Sequence, residues 1–144
     1  MKNKIKTFFL ILISIISYTA YAQSNTNSSF DGKKLIGKKW FFTEVVNGVR
    51  ETRTMIFDKD SVREIIVIGN KTIIQHDAYY LHDKASMDFD PGYIGKSTKG
   101  KYLYRRAKAG KDIGFYVHKL TDNEFIYSYY KNGPHIRFTS FPLD

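Results

Sequence analysis

Histidines and carboxylates are the first side chains in this sequence that offer chemistry. His76 and His82 share one parity of a long stretch, and Asp77 and Asp83 follow them directly. Imidazole and carboxylate are ligands for zinc and related ions. Six residues of strand, however, hold the two imidazoles about 20 Å apart, too far to share one ion. His118 and His135 lie farther along the chain, and only tertiary structure could bring them together. No metal site is implied. Asp58 with Asp60, and Asp88 with Asp90, are the paired carboxylates that acid–base work would need. Both pairs sit where turns are expected, and turn formation accounts for them. "DKDS", from Asp58 to Ser61, lacks the glycine and distal glutamate of a calcium loop.

Nucleophilic chemistry finds no better footing. The chain has no cysteine and no Gly-x-Ser-x-Gly elbow. "GKSTKG", Gly95 to Gly100, lacks the upstream glycine and following helix of a phosphate-binding loop. Neither an enzyme nor a cofactor is implied. "KGKYLYRRAKAGK" interleaves basic and aromatic residues as single-strand nucleic-acid binders do. Its charges are Lys99, Lys101, Arg105, Arg106, Lys108 and Lys111. The same residues also suit a solvated hairpin whose lysines blunt an edge. As a patch they fit an anionic glycan, a lipid surface or an acidic protein.

The start of the chain argues against nucleic acid as that partner. Met1 to Thr7 carry three lysines and no acid, Phe8 to Ile16 are apolar but for Ser14, and Ala20-Tyr21-Ala22 follows. A basic head, a short apolar middle and small residues at the cut define a secretory signal. The apolar run is about half the roughly 20 residues a membrane span requires. Residues 1–22 are therefore read as a signal peptide cleaved after Ala22, with no lipid-bearing cysteine behind it. The expected location is periplasmic or secreted. Cleavage leaves one domain's length of chain, and the net charge falls from +9 to +6. Without disulfides, that domain is stable through burial and hydrogen bonding alone.

Residues 23–30 read as a flexible polar leader and 31–144 as the folded domain. Beyond the leader, runs rich in β-branched and aromatic residues alternate with turn residues. "KKWFFTEVV" stops at Asn47-Gly48, a two-residue hairpin signal. "ETRTMIF", "VREIIVI", "KTIIQHDAYYLHD", "ASMDFD", "KYLYRRA", "IGFYVHKL", "EFIYSYY" and "HIRFTSF" complete nine strand candidates. The only helical segment expected is one or two turns within Ser29–Ile36, ended by Gly37. Hairpin-linked strands with one apolar face leave two long edges unless the sheet curls shut. The sequence thus predicts an all-β fold: an eight- to nine-stranded antiparallel up-and-down barrel with a short N-terminal helical turn.

"LIGKKWFF" opening the first strand, the meander after it, and "YVHKLTDNEFIYSYY" late in the chain resemble the lipocalin-like domains of exported bacterial proteins. In that family a Gly-x-Trp signature puts a tryptophan across the closed end of the barrel, with a basic residue near the last strand covering it. The spacing here, Gly37-Lys38-Lys39-Trp40, is one residue longer. The resemblance implies that Trp40 seals the barrel and that Arg137 lies over its indole, a contact of about 0.5–2 kcal/mol.

Two functions fit this reading. In the first, a small hydrophobic or amphipathic molecule sits inside the barrel. Phe42, Tyr80, Tyr102, Tyr104, Phe115, Val117, Tyr127 and Tyr129 line it, by parity with Trp40 and by apolar face. In the second, the barrel is filled, and the loop Pro91 to Gly100 with Tyr79-Tyr80 and Tyr129-Tyr130 contacts an envelope protein. The chain then acts as an inhibitor, immunity or assembly factor.

Overall fold

A computed structural model of the protein describes residues 29–86, 88–107 and 110–142. The signal segment, the leader up to residue 28, and Lys108 of the basic run lie outside these residues. Strand pairing begins with β1 (Phe30–Asp31), across the boundary between the segments read as leader and domain. A single 3-10 turn, Gly32–Lys34, follows, with the Asp31 carboxylate accepting from the Lys33 N–H at 3.0 Å. No α-helix forms over Ser29–Ile36.

The meander then runs through β2 (Lys39–Val46), β3 (Val49–Phe57), β4 (Ser61–Ile68) and β5 (Lys71–His82). After a long connection come β6 (Lys99–Gly100), β7 (Tyr102–Ala107), β8 (Asp112–Leu120), β9 (Glu124–Ser128) and β10 (Ile136–Thr139). Eight of these strands close an antiparallel barrel in the order β10-β2-β3-β4-β5-β7-β8-β9, while β1 and β6 form a separate two-stranded ribbon. The barrel shuts where Thr139 of β10 meets Phe41 of β2. Asn47 and Gly48 adopt φ of 51° and 77°, the left-handed pair that a tight hairpin twist demands.

The described residues of "ASMDFD", 85–86 and 88–90, form no strand. The segment's alternation suits a sheet, but its main chain is held by side chains instead. The Ser86 hydroxyl accepts from Asp88 N, and the phenols of Tyr104 and Tyr80 accept from Ser86 N and Asp90 N. In β8 a bulge at His118 lets both Val117 and Leu120 face inward.

The packed core sits toward one end. Trp40, Leu35, Met55, Phe57, Phe125 and Phe138 are all buried there. The indole N–H of Trp40 donates to the Leu35 carbonyl at 3.0 Å, and Phe125 meets the ring edge-on at 5.9 Å. The N-terminal turn is fastened over this end by Gly32 N donating to Thr98 O at 2.7 Å. Gly100 lies so close to β5 that a Cβ there would fall 2.2 Å from the His82 carbonyl carbon. Lys38, not Arg137, is the cation over Trp40, its Nζ 5.5 Å from the ring. Arg137 alternates with the inward Phe138, so its side chain lies on the outer wall, where it pairs with Glu124 at 2.6 Å.

Candidate functional site

Register decides which side chains enter the barrel. Trp40 pairs with Met55, Met55 with Glu64, and Glu64 with Gln75. The next inward row is Phe42, Arg53, Ile66 and Ile73. Beyond it, Glu44 and Val46 continue the inward face of β2, with Glu51 and Val49 on β3 and Ile68 on β4. On the far wall Asp77, Tyr79 and Leu81 of β5 stand beside Ala107, Arg105 and Leu103 of β7.

This register places ions inside the barrel. Arg105 is 4% exposed. Its Nη2 donates to Glu64 Oε2 at 2.7 Å, its Nε to Asp77 Oδ2 at 2.9 Å, and its Nη1 faces Met55 Sδ at 3.7 Å. Arg53 pairs with Glu51 and reaches Glu64 Oε1 at 4.0 Å. Burial opposes the charge on Arg105, but Glu64 and then Asp77 outweigh it, so its pKa is raised. Tyr127 is raised as well, chiefly by burial and then by Glu64, and keeps its phenolic proton. Asp77 Oδ1 is buried and takes no hydrogen bond from the described residues. Lone charges on an apolar parity were the available signal: Glu64 between Val62 and Ile66, Asp77 beside Tyr79, Arg105 beside Leu103.

Above the ionic layer the wall turns apolar and open. By register Val46, Val49, Ile68 and Ile73 share the inward face, yet their exposures are 50, 45, 39 and 45%. The hairpins β2–β3 and β4–β5 rise past the β7–β8 hairpin, because the β5–β7 ladder starts only at Asp77. A recess of about 230 Å³ lined by Phe41, Thr43, Arg50, Thr52 and Thr54 lies on the outward parity of β2 and β3 and is no part of this inner wall.

The eight expected lining residues divide. Phe115, Val117 and Tyr127 belong to the packed interior, Phe42 is half-buried beside Arg53, and Tyr129 is exposed with its ring 5.2 Å from Phe115. Tyr80, Tyr102 and Tyr104 do not line the barrel. They lie on its outer wall with Phe89 and Ile94, beneath the connection between β5 and β6. Both parities of "AYYLH" and "KYLYRR" are apolar because both faces are covered. The residue pattern alone therefore does not say which of Leu103 and Tyr104 points inward.

The basic run divides too. Arg105 is interior, so it is no part of a surface patch. Arg106 pairs with Asp112 at 2.5 Å and lies 4.6 Å over Phe89. Lys99 and Lys111 are exposed, and Lys101 is half-buried.

Folding does unite His118 and His135, with ring centroids 4.0 Å apart. His118 Nε2 lies 2.7 Å from the Ser128 hydroxyl, which itself donates to the Tyr130 carbonyl at 2.5 Å. The serine proton is directed at main chain rather than at imidazole, and Ser128 is fully buried. His76 is exposed, and His82 packs on Tyr93 at 4.7 Å. Among the described residues no three or more His, Asp or Glu side chains converge as metal ligands. No described helix is long and apolar enough to cross a membrane.

Fold and site together define a closed eight-stranded antiparallel barrel, sealed at one end and apolar at the other. The chain matches no protein-family model, and neither the curated proteins nor the solved structures contain a match to it.

Proposed function

We propose that this chain is an exported, non-enzymatic binding protein of lipocalin-like type, holding an amphipathic small molecule at the open end of its barrel. One observation carries the reading. Val46, Val49, Ile68 and Ile73 face the barrel axis by register but remain in contact with water. Covering such surface contributes about 25 cal/mol per Å². The packed core and the Arg105 layer below limit the ligand to a shallow seat. Its apolar body lies along the overhanging hairpins, and its polar end meets Arg53 and Glu51. Ser128 offers no nucleophile, since its proton is committed to a carbonyl.

The test uses native mass spectrometry of the purified protein and titration with 1-anilinonaphthalene-8-sulfonate. An adduct of a few hundred daltons, or saturable probe binding weakened about tenfold by Ile73→Lys, is the expected result. A clean mass together with probe binding indifferent to Ile73→Lys would overturn the reading. Export is tested separately. In a bacterial host the chain is expected in the periplasm with Gln23 at its N-terminus, and an uncleaved cytoplasmic chain would contradict this.

The second reading, an envelope protein bound through the surface, has its own support. Lys71–His76 pairs with β4 on one side and with no described strand on the other, and it carries Ile74, 59% exposed. Such an edge accepts an added strand. Capture of a protein partner that is lost on Ile74→Pro would favour this reading over the first.

A further inference from the structure

We propose that the pocket outside the barrel, between the β5–β7 wall and residues Lys84, Ser86, Asp88, Asp90 and Tyr93, binds one ring of a neutral saccharide. This site is separate from the open end of the barrel. Its volume is about 270 Å³. That falls below the roughly 300–1,000 Å³ of sites for drug-sized ligands, so it suits a single ring.

The pocket is built and not incidental. Tyr80 and Tyr104 stack at 5.1 Å to form its floor, 2 and 4% exposed. The Tyr104 phenol is fully used, accepting from Ser86 N at 2.7 Å and donating to Lys84 O at 2.9 Å. Tyr80 differs. Its oxygen accepts from Asp90 N at 3.0 Å, which leaves its own proton to donate, and burial raises its pKa so that the proton is retained. A nine-tenths-buried hydroxyl with a free donor thus lies in the lining. His82 Nδ1 accepts from Lys84 N at 3.0 Å. In the neutral ring that places the proton on Nε2, a second donor. Tyr93, 39% exposed and 5.4 Å from Tyr80, supplies an aromatic face. Lys84 and Asp88 add charged residues to the lining, while the Ser86 hydroxyl is committed to the Asp88 main chain.

A sugar ring has an apolar C–H face and an edge of hydroxyls that both donate and accept. An aromatic wall with mixed donors and acceptors around it complements both. The competing classes fit less well. Asp88 and Asp90 repel an anion. A cage for an alkylammonium needs several open ring faces, whereas here only Tyr93 is open and Lys84 stands in the rim.

Saturation-transfer NMR and calorimetric titration with glucose, galactose, mannose and N-acetylglucosamine test the proposal on the whole protein. At least one sugar is expected to bind with Kd of about 1 mM or tighter, and Tyr93→Ala and Asp88→Asn are each expected to weaken it about tenfold. Both residues are on the connecting loop, and unchanged melting temperatures would show the variants folded. Saturable binding by none of the four sugars overturns the assignment, as does binding that survives both substitutions. Saturable binding of tetramethylammonium with none of the four sugars bound would instead identify a cation site and reject the saccharide.

Discussion

The two ends of the barrel both turn apolar side chains inward and behave oppositely. At the closed end Trp40, Phe57, Phe125 and Phe138 interlock, and a turn strapped across them keeps water out. At the open end valines and isoleucines of equal apolarity stand in water, because the hairpins carrying them rise past their neighbours. Between the two lies the Arg105 layer. The contrast shows that hydrophobicity alone does not assign a role: apolar side chains are buried where the wall is complete and stay in contact with water where it is not.

The largest effect that would test this contrast is at the closed end. Trp40→Ala is expected to cost about 3–5 kcal/mol in urea unfolding. Val46→Ala at the open end should stay within about 0.5 kcal/mol. Comparable losses at both sites would abolish the distinction. Next comes the ionic layer. Arg105→Ala strands Glu64 and Asp77 in the interior, with an expected loss of about 3 kcal/mol. Restoring much of it by also replacing Glu64 and Asp77 with neutral residues would show that the cost is unpaired charge and not lost packing.

A smaller effect sharpens the open end: Ile73→Lys should weaken probe binding about tenfold while the melting temperature holds. Smallest is a pH dependence on the outer wall. Burial, and then the neighbouring His135, hold His118 below the ordinary imidazole range. The unfolded chain takes up that proton near about pH 6.5. The folded state takes it up only at lower pH, so stability present above that value declines as pH falls through it. Stability measured from pH 7.5 to 5 should decline less in His118→Gln, and identical profiles would remove the role of burial.

Much of the architecture was legible in the residue pattern. Asn47-Gly48 marked its hairpin, the aromatic and β-branched runs marked the strands of the barrel, and a run of alternating residues at "ASMDFD" misled only because tyrosine hydroxyls from other strands hold its main chain. The site was less legible. Arg105 sits in a run of surface-looking cations, and nothing local says that β7 turns it inward. Tyr80 and Leu81 are both apolar, and pairing a strand one residue out of register exchanges them. Arg137 was expected over the indole from the family resemblance and not from parity; it lies on the outer wall, and Lys38 stands beside the indole.

Composition and periodicity, by themselves, determined that the chain makes an all-β meander with turns at its Gly, Asn and Asp clusters, because strand and turn preferences act over a few residues. Only the tertiary structure decided which parity faces the axis, that His118 meets His135, and that three carboxylates and two guanidiniums share the interior. Those outcomes depend on strand register and barrel closure, which are set by contacts between residues tens of positions apart.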